Sequence, residues 1–446
     1  MKKIRIGSGA GYGGDRLEPA LELMERASLD YIAFECLAER TIALAQLEKL
    51  RDPSKGYNQL LEYRMRRVLP LARSGGVRVL TNMGAAHPEA ALDRVLALAR
   101  EQGLQGMRLA AVLGDDVQDL VRRNPQLPQM ENGRPIGELS DRIVSANAYL
   151  GSGPLVEALE AGAEVLLTGR VADPALFLAP MIYEFGWAMD DFGQLGKGTL
   201  VGHLLECAGQ VCGGYFADPM RKPVPEPWNL GFPFAEVDAS GNGYISKSPG
   251  TGGLVSRATC TEQLLYEIHD PANYLTPDCT ADFSQVSFAG SGPDRVDFSG
   301  AFGRPPTDTY KVSVGYRNGF LGEGQISYGG SGCVARARLA GEIVRRRLEA
   351  LGIPAEDLRL DLIGLNALSP LPTEGYGEPA EVRLRVAGRT ETREQAGALA
   401  GEVETLYTNG PAGGGGAAKK VEELVSVASV LLPKSKLRPT LIHETT

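Results

Sequence analysis

What most constrains the fold is an alternation through the first half of the chain. Short apolar runs recur at Lys3–Ile6, Tyr31–Phe34, Gly76–Leu80, Met107–Leu113 and Val165–Thr168. Between them Pro19–Ser28, Pro88–Gln102 and Gly153–Ala161 carry apolar residues at helical intervals. Strand–helix alternation of this kind builds a parallel sheet with crossover helices. Ligands of such sheets sit beyond the carboxyl ends of the strands. Four polar turns fall there: Gly7–Arg16, Thr81–His87, Gly114–Asp116 and Gly169–Asp173.

From about Gly214 the text changes, becoming rich in Gly, Pro and Asp, with short alternating segments such as Tyr310–Tyr316 and Glu381–Ala387. Long helical patterns return only at Ala335–Leu351 and Arg393–Thr405. A chain of 446 residues exceeds one ordinary core. The expectation is therefore an α/β protein: a mainly parallel Rossmann-like sheet over residues 1–200, then a mixed α+β domain over 201–446 packed closely on it.

Charge narrows the partners. The chain has 46 Lys+Arg against 55 Asp+Glu, a net charge of −9. A surface this acidic repels nucleic acid and anionic lipid. Anionic substrates must then be held by local basic groups or backbone N–H groups. No apolar run reaches the roughly 18 residues that span a bilayer. Met1-Lys2-Lys3-Ile4 leads into glycines rather than an apolar signal core. A cytoplasmic location is expected. The six cysteines form no Cys-x-x-Cys pair, so neither a disulfide framework nor a metal site is expected.

The glycine-rich stretch Gly7–Arg16 follows a strand and precedes a helical pattern. Gly9, Gly11 and Gly14 fit G-x-G-x-x-G, with Asp30 or Glu35 as the acid that would meet a ribose. Three readings stay open: a nicotinamide site, an anion or substrate loop that includes Arg16, and a tight turn. Among the other strand-end turns, Asn82, His87 and Asp115 are candidate substrate contacts. Arg170 and Asp173 lie three apart before Pro174, either as an anion clamp with an acid or as a helix start with a surface Arg.

Gly198–Gly213 reads as a helix with His203, Glu206, Cys207 and Gln210 on one face. His-x-x-Glu there is a proton-transfer pair or a buried polar stripe. Glu262, Glu267 and His269 precede Asp270-Pro271 and read as the end of a helix. Gly250–Gly253 and Gly410–Gly416 are further glycine loops. In the second, Asn409 and Gly413, Gly414, Gly415 and Gly416 would offer backbone donors to an anion or thioester, before a helix.

Several long motifs resemble one family. Ala146–Trp187, Gly198–Pro219, Pro249–Ser256, Gln263–Asp278 and Thr405–Gly416 are similar to signature stretches of the acyclic terpene utilisation family. The resemblance runs from Gly7 to about Leu432. It implies a role in breaking down acyclic terpenoids and other branched acids as coenzyme A thioesters. Longer relatives carry an extra C-terminal ferredoxin-like domain that this chain is expected to lack, so a separate small ferredoxin-like partner protein is the matching expectation. Relatives show Asn-x-Gly-Gly-x-Asn-Pro where this chain has Asn82-Met-Gly-Ala-Ala-His-Pro88. If His87 touches substrate, that substrate is expected to differ from the terpenoid.

The leading expectation is an enzyme acting on an acyl-CoA or small carboxylic acid by proton transfer next to a carbonyl, of hydratase, lyase or isomerase type. His203, Glu206 and Asp173 would be catalytic, Arg170 the clamp, and no cofactor required beyond coenzyme A within the substrate. The rivals are a non-catalytic acyl-CoA-binding or scaffolding subunit and an NAD(P)-dependent oxidoreductase. A homo-oligomer is expected.

Overall fold

The computed structural model describes residues 2–368 and 377–446. Two compact units emerge: residues 1–315 with 427–446, and residues 316–426. Residues 201–315 thus belong with the first unit, and the second is an insertion within it.

The first unit holds β1 (Lys3–Ala10), β2 (Tyr31–Phe34), β3 (Arg78–Thr81), β4 (Arg108–Leu113), β5 (Ile143–Ala148), β6 (Val165–Thr168), β7 (Pro233–Asp238) and β8 (Gly243–Lys247). Its helices are α1 (Glu18–Arg26), α2 (Glu39–Arg51), α3 (Leu61–Gly75), α4 (Pro88–Glu101), α5 (Gln118–Arg123), α6 (Gly153–Glu160), α7 (Ala175–Phe185), α8 (Phe192–Leu205) and α9 (Arg257–Leu265). Five strands pair in parallel in the order β1-β2-β3-β6-β4. Strands β2 and β6 are buried at every position. Being covered on both faces is what makes them read as unbroken apolar runs.

The expected mainly parallel sheet is in fact mixed. Strands β7 and β8 and the hairpin Ser287–Gly292/Arg295–Ser299 extend it antiparallel beyond β1. Thr440–Thr445 closes the other edge, antiparallel to β4. Half of this ten-stranded sheet therefore comes from beyond residue 200. Antiparallel edge strands are half-exposed and lack the continuous apolar run that marks the centre.

Glycine misleads at two places. Gly7–Gly9 were expected in a loop, but β1 runs on to Ala10. A Cβ at Gly7 would meet the Leu29 and Leu23 side chains at 2.6 and 2.8 Å, and one at Gly9 the Phe34 ring at 2.6 Å. Both glycines serve packing inside a strand. The helix expected after Gly416 is instead the strand Gly414–Pro433.

The second unit has its own order: strand Thr309–Gly329, α10 (Cys333–Ala350), strands Glu356–Ile363 and Glu381–Thr390, α11 (Arg393–Glu404) and strand Gly414–Pro433. The spatial order is second, third, first, fourth. A βαββαβ chain in that order has the ferredoxin-like topology. Val382, Leu384 and Val386 alternate into a core with Ala337, Val344, Leu399 and Val403 of the two helices. On the other face Arg385 bonds Glu323 (2.7 Å) and Asp361 (3.0 Å).

Candidate active site

Parallel strands in register end together. Ala10 pairs with Phe34, Phe34 with Thr81, Thr81 with Leu167, and Val112 with Thr168. The turns Gly11–Arg16, Asn82–His87, Gly114–Asp116 and Gly169–Asp173 consequently lie along one edge, joined by Glu35–Ala38 after β2. Asp115 ties two of them: its Oδ2 accepts from the Arg170 backbone N–H and from Asn147 Nδ2, both at 2.9 Å. Burial pushes its carboxyl up to about 6, against those two donors.

Arg170, 2% exposed, is the hub of this edge. Its guanidinium lies 4.1 Å from the centre of the Tyr149 ring, donates to Asp173 Oδ1 at 2.5 Å and bonds the Leu37 carbonyl. Nε has no partner. It is therefore not an open fork waiting for a carboxylate: acids already surround it. Asp173 is bonded to it, and Glu35 and Glu39 act on its charge.

Glu35 follows β2 directly. Oε1 accepts from Asn82 Nδ2 (2.7 Å) and from the Leu37 N–H (3.0 Å). Burial first, then the charge of Asp173, raise it to about 8, against Arg170 and Asn82. Glu39 goes the other way. Burial would raise it, but the Tyr149 hydroxyl, Arg170 and Lys311 hold it at about 2. Two carboxyls four residues apart are thus driven in opposite directions, one by burial and the other by its hydrogen bond and nearby cations.

Helix α8 supplies the expected pair. It begins at Phe192, where Asp191 caps Gln194 N–H (3.2 Å), and ends at Leu205 rather than Gly213. Ala208, at φ +43°, turns the chain into a short 3-10 turn. The common helical face expected for His203, Glu206, Cys207 and Gln210 therefore stops at Glu206.

Within that limit His203 and Glu206 do meet. His203 Nδ1 lies 2.8 Å from Glu206 Oε1, and Nε2 lies 3.1 Å from the Leu264 carbonyl oxygen. A carbonyl only accepts, so Nε2 carries hydrogen, and the titrating proton is the one between Nδ1 and Oε1. Burial raises Glu206 to about 7, and Asp173 and Glu267 add to it, while His203 opposes. Burial works to lower the imidazole's pKa, and the Glu206 carboxylate beside it shifts it upward overall. Glu206 Oε2 is buried without a partner, as is Gln263 Oε1, whose amide donates to the His203 carbonyl at 3.0 Å.

A cleft opens next to this pair. A cavity of about 510 Å³ is lined by Gly11, Asp15, Arg16, Cys207 and Gln210, with Tyr12, Tyr215, Leu230, Phe232 and Tyr266 as its apolar part. A second, of about 230 Å³, shares Gln210, Gly214, Tyr215 and Tyr266 and reaches Gln263. Cys207 and Gln263 thus line the cleft, Cys207 directly follows Glu206, and Gln263 is bonded to His203. A Cβ on Gly11 would lie 2.5 Å from the Cys207 carbonyl carbon. That close approach is what requires glycine there.

The family model described as "Acyclic terpene utilisation family protein AtuA" matches residues 4–443. The chain belongs to the acyclic terpene utilisation family. No curated protein and no solved structure matches it.

In this family member the sequence-derived candidates scatter. His203, Glu206, Asp173, Arg170, Asn82 and Asp115 gather at the carboxyl edge, and Gly11 and Arg16 line the cleft. Arg16 is exposed and donates to the Trp228 carbonyl at 3.2 Å. Gly14 faces the Tyr12 ring. Gly9 is inside β1 and α1 starts only at Glu18, so the glycine fingerprint does not bring a phosphate loop onto a helix N-terminus. His87 has Nδ1 2.9 Å from the Lys55 carbonyl oxygen and does not line the cleft. Asn409 and Gly413–Gly416 belong to the second unit, where Asn409 Nδ2 bonds the Thr405 carbonyl at 3.1 Å.

Residues missed as site members are Glu39, Tyr149, Gln263 and Tyr274, whose ring centre lies 5.4 Å from that of His203, and Glu35 was weighed only against a ribose. The signal for Glu35 was present, since it immediately follows a strand's carboxyl end. No local pattern marks Tyr149 or Gln263. Among the described residues no cluster of metal-ligating side chains occurs, and no helix is long and apolar enough to cross a membrane.

Proposed function

We propose that the protein is an enzyme of acyclic or branched acid catabolism that moves a proton next to the carbonyl of an acyl thioester. One observation carries the reading: a buried His203–Glu206 pair with one carboxylate oxygen bonded and the other unpartnered, beside the cleft. Glu206 Oε2 is the atom that takes a proton from the carbon next to the carbonyl, and His203, held by the Leu264 carbonyl, keeps the resulting proton shared. Glu35, raised to about 8 and so protonated at neutral pH, supplies an O–H at the same edge. A carboxyl group that stays neutral in this way can donate to a developing enolate oxygen. Hydratase, lyase and isomerase chemistry next to a carbonyl each include such a proton transfer.

The test is solvent exchange. The full chain is incubated in D2O with a panel of branched acyl-CoA thioesters, and deuterium at the carbon next to the carbonyl is read by mass spectrometry. Incorporation that vanishes in Glu206→Gln supports the proposal. Incorporation undiminished in that variant, or none across the panel, defeats it.

A further inference from the structure

The proton-transfer scheme makes no use of the orphaned acceptor on Gln263, and its surroundings say what would answer it. Gln263 is on α9, 1% exposed, and reaches the end of α8. The last carbonyls of a helix lack an intrahelical donor. That of His203 takes its hydrogen from Gln263 Nε2 at 3.0 Å. A carbonyl only accepts, so this bond fixes which end of the amide is which: the nitrogen points to α8 and Oε1 is left over. Oε1 is buried and has no partner among the described residues. The Cys207 thiol beside Gln263 is only a weak donor. A buried oxygen in this state is destabilising until some N–H or O–H reaches it.

The cavity of about 230 Å³ has Gln263 in its wall. Gln210 lines the same cavity, half-buried, and its side-chain amide also has no partner among the described residues. Tyr215, Phe216, Leu265 and Tyr266 make up the apolar wall, and Glu262, the acid there, is paired with Lys222. The cavity shares Gln210, Gly214, Tyr215 and Tyr266 with the larger cleft, so one ligand can extend through both.

We propose that this smaller cavity is a subsite for a neutral hydrogen-bond donor on an apolar arm of the ligand, an amide N–H or a hydroxyl, received by Gln263 Oε1. A secondary amide satisfies both glutamines at once, its N–H meeting Gln263 and its carbonyl meeting Gln210 Nε2. The subsite rests on the proposed site, since Gln263 is bonded to His203, but it recognises a group other than the carbonyl that reacts. A ligand that fills the cavity without a donor leaves the buried oxygen unpaired, which is how a polar site discriminates between molecules of one shape.

Two matched pairs of fragments test this on the full chain by ligand-observed NMR titration at pH 7.5: N-butylacetamide against butyl acetate, and hexanol against methyl pentyl ether. Within each pair the shape is kept and the donor is lost. The partner without a donor is the more apolar, so hydrophobicity alone works against the expected result. The amide, the alcohol or both should bind at least about fivefold more tightly than the matched partner. Whichever pair shows the gap identifies the donor. The gap should close in Gln263→Met, which keeps the volume and removes the acceptor. Equal affinities within both wild-type pairs would overturn the proposal without need of any variant, because water would then answer Gln263 Oε1. A gap that persists in a cooperatively melting Gln263→Met, or no binding of any fragment, would overturn it too. The fragments carry no thioester and binding is read without turnover. Absence of deuterium exchange would therefore leave this subsite standing, and equal affinities would leave the exchange chemistry standing.

Discussion

Glu206→Gln should make the protein more stable at alkaline pH and much less active. In the folded chain Glu206 titrates at about 7 against an ordinary 4.5, chiefly because it is buried. A carboxyl that binds its proton more tightly when folded stabilises the fold below its unfolded value. That contribution is lost as the pH rises through the folded one. The displacement of about 2.5 units, at 1.36 kcal/mol each, sets an upper bound of roughly 3 kcal/mol lost between pH 4.5 and 7. Sharing the proton with His203 brings the expected figure to about 1–3 kcal/mol. Glutamine carries no charge to desolvate, and its amide N–H can donate to His203 Nδ1, so the 2.8 Å contact survives. The variant should therefore melt with the wild type at pH 5 and several degrees above it at pH 8. Turnover should meanwhile fall about 10²–10⁴-fold, the usual worth of a general base. Thermal melts at both pH values, with rates on the same preparations, check this. A variant less stable than wild type at pH 8, or one as active, would refute the placement of Glu206 as a strained, buried base.

Two further perturbations probe the scaffold. Gly11→Ala would place a methyl 2.5–2.8 Å from the Cys207 backbone, which cannot swing aside as a side chain could. It should cost about 1–3 kcal/mol in denaturant melts and weaken ligand binding as well. Asp115→Ala leaves the Arg170 backbone N–H and Asn147 Nδ2 without their shared acceptor. A loss of about 1–3 kcal/mol is expected for such buried donors, and a fall in activity through misplacement of Arg170 should accompany it.

The exactness with which different elements could be read follows their surroundings. Tyr31–Phe34 and Val165–Thr168 emerge with their expected bounds because both faces of each are buried and only apolar residues fit. The end of α8 was hidden because Ala208 bends the chain at φ +43°, and alanine carries no local mark of a turn. The ferredoxin-like unit was hidden too. Its strands alternate Arg383, Arg385 and Arg389 with buried Val382, Leu384 and Val386, which announces a half-exposed strand but not its neighbours.

Local pattern alone determined that strands and helices alternate, that polar turns follow the strands, and that His203 and Glu206 stand one helical turn apart. Those facts depend on neighbours within a few residues. Tertiary structure alone decided that Glu35, Glu39, Tyr149, Asp173, Glu206 and Gln263 share one edge, since strand register brings together turns separated by tens to hundreds of residues. It also decided their charge states. Glu35 and Glu39 are the same residue type four positions apart, yet burial beside Asp173 raises one to about 8. Tyr149, Arg170 and Lys311 hold the other at about 2. A carboxyl group's acidity is set by what the fold places within a few ångströms of it, and that is information no stretch of chain carries by itself.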